Sequence, residues 1–124
     1  MTYAAKTIFA FGCYLLALGA SLLLFPNAVL GVFGIAPTTE VWIRVVGMLV
    51  LFLGSYYGLA AAANSHQFFR WTIPLRASVI VFFAAFVLLG YAPRVLMLFA
   101  LVDFAGAAWT WVALRYTGPA AQPA

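Results

Sequence analysis

The stretch that most constrains this chain is 95–114, VLMLFALVDFAGAAWTWVAL, which holds twenty residues and one charge, Asp103, near its middle. Twenty apolar residues in a helix span about 30 Å, the thickness of a bilayer's hydrocarbon core. A carboxylate at that depth costs at least roughly 2.5–3.5 kcal/mol on insertion scales. What surrounds Asp103 is therefore the question around which the remaining residues are read.

Of 124 residues, 68% are hydrophobic and 6% charged. A soluble domain carries about 25% charged residues, so lipid must cover most of this surface. The expectation is one transmembrane domain with no soluble module. The net charge of +4 comes from six scattered basic residues and forms no nucleic-acid patch. The single cysteine, Cys13, excludes an intramolecular disulfide and CxxC redox chemistry and reads as a small core thiol. The run from Lys6 through 17–21, ALGAS, imitates a signal peptide, but its length fits a retained span.

Four apolar runs predict spans at 7–25, 41–63, 73–90 and 95–114, with a disordered tail over 116–124. Gly12 and Gly19 share a face of the first, and Tyr14 sits in its middle. The segment 26–37, PNAVLGVFGIAP, is too short to span and reads as an interfacial helix or re-entrant turn, with Asn27 as its cap, or equally as a plain apolar loop lying on the headgroups. Thr38-Thr39-Glu40 predicts a threonine cap and an acid in the first turn of the second span. Within that span Gly54, Gly58 and Ala62 make a small-residue stripe suited to close helix packing, and Tyr56 lies deep. Residues 64–67, NSHQ, read as a polar loop, and Pro74 as a first-turn proline of the third span. Trp42, Trp71, Tyr91, Trp109, Trp111 and Tyr116 fall near span ends, where amphipathic rings settle.

Lys6, Arg70, Arg76 and Arg115 fall on one side of this topology, and Arg44 and Arg94 on the other. The bias puts both termini in the cytoplasm. Counted by helical rise, Arg44 and Asp103 differ in depth by about 7 Å, and Arg76 and Asp103 by about 12 Å. Arg44–Asp103 is the better ion pair and Arg76 a third member. The alternative for each arginine is to snorkel to the headgroups. Asp103 either fixes helix register or serves as a ligand or proton site.

No catalytic set is legible. One histidine and one cysteine cannot supply a zinc site, bis-histidine haem is impossible within the chain, and no phosphate loop or nucleophile–base pair occurs. Neither metal nor cofactor is expected.

The pattern of four spans, with Trp42-Ile43-Arg44-x-x-Gly47 opening the second, Phe69-Arg70-Trp71 and Arg76 opening the third, and Val102-Asp103-x-x-Gly106-x-x-Trp109 in the fourth, resembles small four-helix bacterial membrane proteins loosely grouped with the DoxX-like proteins. The likeness covers most of 26–115. It implies a four-helix fold with an arginine early in helices two and three and an acid in helix four. The better-known relatives are linked to thiosulfate oxidation with quinone reduction, from which a chain with one cysteine departs.

The sequence thus predicts an all-α transmembrane four-helix bundle. The expected role is non-enzymatic packing, as a homo-oligomer or an accessory subunit of a membrane complex. The first alternative is a pocket for a quinone, lipid or other small lipophile lined by Asp103, Arg44, Arg76, Tyr56 and Tyr14. A further one is acid–base catalysis by Asp103 on an apolar substrate.

Overall fold

A computed structural model describes residues 1–117. The described chain is all-helical: α1 (Tyr3–Leu24), α2 (Pro26–Val32), α3 (Trp42–Ala62), α4 (His66–Leu88) and α5 (Leu96–Thr117). Four of these, all but α2, are long and apolar enough to cross a membrane, which makes this by length and composition a multi-pass membrane protein. The fold divides into two compact units, one of residues 9–59 and one of residues 1–8 with the chain from Ala60 onward.

Three helices end by the same device. After α2, α3 and α4 the chain passes through a left-handed residue, Gly34 (φ 71°), Asn64 (φ 49°) and Gly90 (φ 80°). At each, that residue's amide and the next one's reach back to helix carbonyls: Gly34 to Gly31 and Ile35 to Leu30, Asn64 to Ala61 and Ser65 to Ala60, Gly90 to Val87 and Tyr91 to Phe86. This double closure satisfies carbonyls that would otherwise be orphaned at the helix end.

The closure at Asn64 explains where α4 starts. The reversal is complete by Ser65, so His66 and Gln67, expected in a loop, open the helix instead, and His66 is buried. Pro74 therefore lies in the interior of α4, eight residues beyond its start, and removes one i→i−4 donor there. Transmembrane helices tolerate this because neighbouring groups make good the loss. The start of α3 also differs from expectation. Thr38 does not cap it: its hydroxyl accepts the Glu40 amide in a tight turn, and α3 begins at Trp42 with no acid in its first turn. Asn27 does not cap α2; it lies within the helix, whose N-cap is Phe25, and its Oδ1 accepts the Thr38 amide at 2.9 Å. At the far end α5 carries Tyr116 and Thr117, which the expected tail had included; 118–124 lie outside the described residues.

In the unit of residues 9–59, α1 and α3 meet through glycine. A Cβ on Gly19 would collide with the Leu51 backbone and lie 2.8 Å from the Gly47 carbonyl. One on Gly54 would lie 2.9 Å from the Gly12 carbonyl and the Leu16 amide nitrogen. Gly12 faces Gly54 and Gly19 faces Gly47. The seven-residue spacing is the same on both strands of the contact, as an antiparallel pair requires. Gly58 has open space where its Cβ would stand, and Ala62 is exposed. The stripe that packs is thus Gly47–Gly54, turned from the Gly54–Gly58–Ala62 line expected from spacing alone.

In the other unit α4 packs on α5. Phe69, Thr72 and Arg76 are the buried face of α4; Ala100, Ala107, Thr110 and Leu114 are that of α5. Serine hydroxyls are spent within their own helices, Ser78 on the Leu75 carbonyl and, in the first unit, Ser21 on Ala17 and Ser55 on Leu51.

Candidate functional site

The polar centre lies in the unit formed by residues 1–8 and the chain from Ala60 onward, and it is built on Arg76. This side chain is 4% exposed although it stands within a span-length helix. Its Nη2 donates to the Thr72 hydroxyl at 2.9 Å and the Thr110 hydroxyl at 2.8 Å. Thr72 is one helical turn before Arg76 on the same face of α4, so the side chain folds back along its own helix. Thr110 comes from the buried face of α5. Its hydroxyl lies 2.9 Å from that of Thr7 on α1, which in turn donates to the Ala4 carbonyl at 2.7 Å.

The donor directions follow from chemistry. A guanidinium only donates, and each hydroxyl has one proton. Thr72 gives its proton to the Phe69 carbonyl at 2.7 Å and accepts from Arg76. Thr7 gives its own to Ala4, so Thr110 must donate to Thr7 while accepting from Arg76. The result is a directed chain from a cation through two hydroxyls to a backbone carbonyl. Thr7 and Thr110 are fully buried, and away from bulk solvent each link polarises the next. Arg76 Nε and Nη1 are buried and make no hydrogen bond.

Asp103 stands on the face of α5 that carries Thr110, two turns further from the helix end, and is half-buried. Arg76 is the cation whose field reaches it. The hydrogen bonds of Arg76, however, go to Thr72 and Thr110, both displaced toward the end where α4 begins and α5 finishes. Arg76 is thus the centre of the cluster, where the depth count had made it a third member.

Arg44 belongs to the unit of residues 9–59, and its engagement there is different. It stands in the first turn of α3, exposed, and its Nη1 donates to the Leu23 carbonyl in the last turn of α1. That turn has no basic residue of its own, and Arg44 supplies the cation that the negative end of a helix favours. Tyr56 is exposed, while Tyr57 beside it is buried with its ring 5.7 Å from that of Phe11. Tyr14 is half-buried with its ring 5.4 Å from the same Phe11. Cys13 is exposed on α1, where a core thiol was expected. No group of three metal-ligating side chains occurs among the described residues.

A second polar cluster joins the start of α1 to the turn before α4. The Thr2 amide donates to Asn64 Oδ1 at 3.1 Å, the Thr2 hydroxyl lies 3.3 Å from His66 Nε2, and His66 Nδ1 lies 2.9 Å from the Asn64 carbonyl. Close by, Trp109 Nε1 donates to the Tyr3 hydroxyl at 2.8 Å, the two rings meeting edge to face.

Thr2, Thr7, Thr72 and Thr110 were not legible as site residues. The one signal was the four-residue spacing of Thr72 and Arg76. No protein-family model, curated protein or solved structure matches the chain.

Proposed function

We propose that this is a non-enzymatic integral protein of the bacterial cytoplasmic membrane, a packed set of spans that associates with its own copies or with a larger membrane assembly. Both termini face the cytoplasm, where the basic residues concentrate, and the protein stands with the DoxX-like proteins in the loose sense. The observation that carries this reading is how Arg76 is spent. Its bonds tie α4 to α5 and, through Thr110, to Thr7 of α1. A buried cation employed in this way serves helix register, a use for which buried charge is well suited. The outward surface is rich in large apolar groups, with Val46, Leu49, Leu53, Tyr56 and Leu59 exposed along α3. Such surface is fit for lipid or for a neighbouring helix.

A second reading is favoured by Asp103. It is half-buried within a span-length helix, in the field of Arg76 but outside its hydrogen bonds, as a carboxylate facing the polar head of a quinone or other lipophile would be. Native mass spectrometry of the full chain in detergent separates the two. A discrete oligomer or a stoichiometric protein partner supports the packing role. A monomer that retains one small lipophile, lost on Asp103→Asn, overturns it in favour of the second reading.

A further inference from the structure

The packed face of α5 opens at Asp103. Ala100, Gly106, Ala107 and Thr110 stand one or two turns away on the same side of the helix, and all four are buried. Asp103, on the midline between them, is only half-buried. A short side chain directed into a covered face keeps that exposure only where the covering stops short. The unit therefore leaves a gap at the carboxylate, walled along α5 by Ala100, Gly106 and Ala107. Among the described residues none donates a hydrogen bond to Asp103. Arg76 reaches it through its field, while its Nη2 serves Thr72 and Thr110. An acceptor away from water and without a donor carries the full penalty of its desolvation.

We infer that this gap takes the headgroup of a neutral long-chain alcohol, whose O–H donates to Asp103. The inference rests on the lipophile reading of Asp103 and narrows its ligand. An ionised carboxylate only accepts, so the ligand must bring the proton. A quinone, ketone or ether brings lone pairs alone and sets acceptor against acceptor. An ammonium brings protons but also a second cation beside Arg76, whose charge Asp103 already balances, in surroundings where like charges repel strongly. A hydroxyl supplies the donor and leaves that balance untouched. The small walls give an unbranched apolar chain room, and the alanines and glycine offer no polar side chain for a larger polar head.

The test is photolabelling of the full chain in bilayers of phosphatidylcholine, a lipid with no hydroxyl donor. The probes are a long-chain alcohol bearing a diazirine in its chain, its methyl ether and the matching amine, with labelled peptides mapped by mass spectrometry. The alcohol should label the part of α5 around Asp103 saturably and be displaced by plain 1-dodecanol. The ether should bind about ten- to a hundred-fold more weakly, the worth of a hydrogen bond to a charged group, and the amine should not exceed the alcohol. Asp103→Asn, checked for helicity by circular dichroism, should weaken labelling by the alcohol. The comparison of alcohol with ether on the native chain needs no variant and stands if this one fails to fold. An ether or amine that labels the site as well as the alcohol overturns the inference and leaves the lipophile reading intact. Undiminished labelling of folded Asp103→Asn also overturns it. No saturable labelling by any of the three removes the lipophile reading itself and the inference with it.

Discussion

Arg76 donates to the Thr110 hydroxyl at 2.8 Å across the α4–α5 contact, and that bond fixes which way a buried cation faces. Reaching Thr110 and Thr72 together turns the guanidinium back along α4, while Asp103 meets it through space alone. The hydroxyls disperse the charge without the desolvation cost of a second ion, which in a buried pair rivals the Coulomb gain.

Replacing Thr110 by valine keeps the volume and removes the oxygen. Arg76 then loses one acceptor and Thr7 one donor, at side chains buried from solvent. The expected loss is about 1–3 kcal/mol, the cost of leaving a buried polar group unsatisfied. Thr110→Ser keeps the hydroxyl and gives up only a methyl group, about 0.8 kcal/mol. Thermal unfolding in detergent followed by circular dichroism should order the variants native, serine, valine. A valine variant as stable as the native chain would deny the network any energetic weight.

The same network predicts strong non-additivity. Once Arg76 is methionine, Thr110 no longer receives a charged donor, and losing its oxygen matters less. The cycle of Arg76→Met with Thr110→Val should show a coupling of about 0.5–3 kcal/mol, as for side chains in direct contact. Summed single effects equal to the double effect would show that the bond contributes nothing to stability.

How much of this could be read from residues alone differs by level. Span number and all-helical class follow from run length and charge scarcity, which act over twenty residues and tolerate local error. The partners of the buried charges do not follow. Depth counting takes no account of side-chain direction, so it gave no sign that Arg44 would donate to the end of α1. Threonine is apolar enough to vanish inside a hydropathy run, so Thr7, Thr72 and Thr110 gave no warning. Helix ends were misplaced for a related reason. Hydropathy marks where apolar residues begin, whereas backbone hydrogen bonding carries α4 back through polar residues to the turn at Asn64.

The glycine contact between α1 and α3 separates two kinds of glycine on one helix. Gly47→Ala would put a methyl 2.6 Å from the Leu23 amide nitrogen and 2.9 Å from the Gly19 carbonyl, both backbone atoms that cannot swing away. The expected cost is about 1–3 kcal/mol, that of overpacking. Gly58→Ala meets open space and should instead stabilise α3 by about 0.8–1 kcal/mol through helix propensity. Opposite shifts in melting temperature are the signature, and equal shifts would contradict the packing.

Gly90 closes α4 at φ 80°, a region where a Cβ meets the following carbonyl. Space is open around it, so Gly90→Ala tests backbone strain with no steric confusion. The expected penalty is about 1–2 kcal/mol. Gly90→Asn, a side chain that tolerates this region, should recover part of it. Alanine without effect would mean that the closing turn is not held in solution.

The last prediction concerns Arg44. At the end of α1 the Leu23 carbonyl is among the four that no helical amide can reach, and the guanidinium of Arg44 supplies both a donor and a positive charge. Arg44→Gln removes the charge and shortens the reach. The end of α1 should loosen by about 0.3–1 kcal/mol, the usual worth of a cation at that position. Arg44→Lys keeps the charge but loses the planar fork, and should recover only part. Amide hydrogen exchange locates the effect. Faster exchange confined to the junction of α1 and α2 is expected, because capping acts on the last turn. Exchange that stays unchanged at that junction would remove Arg44 from the helix end.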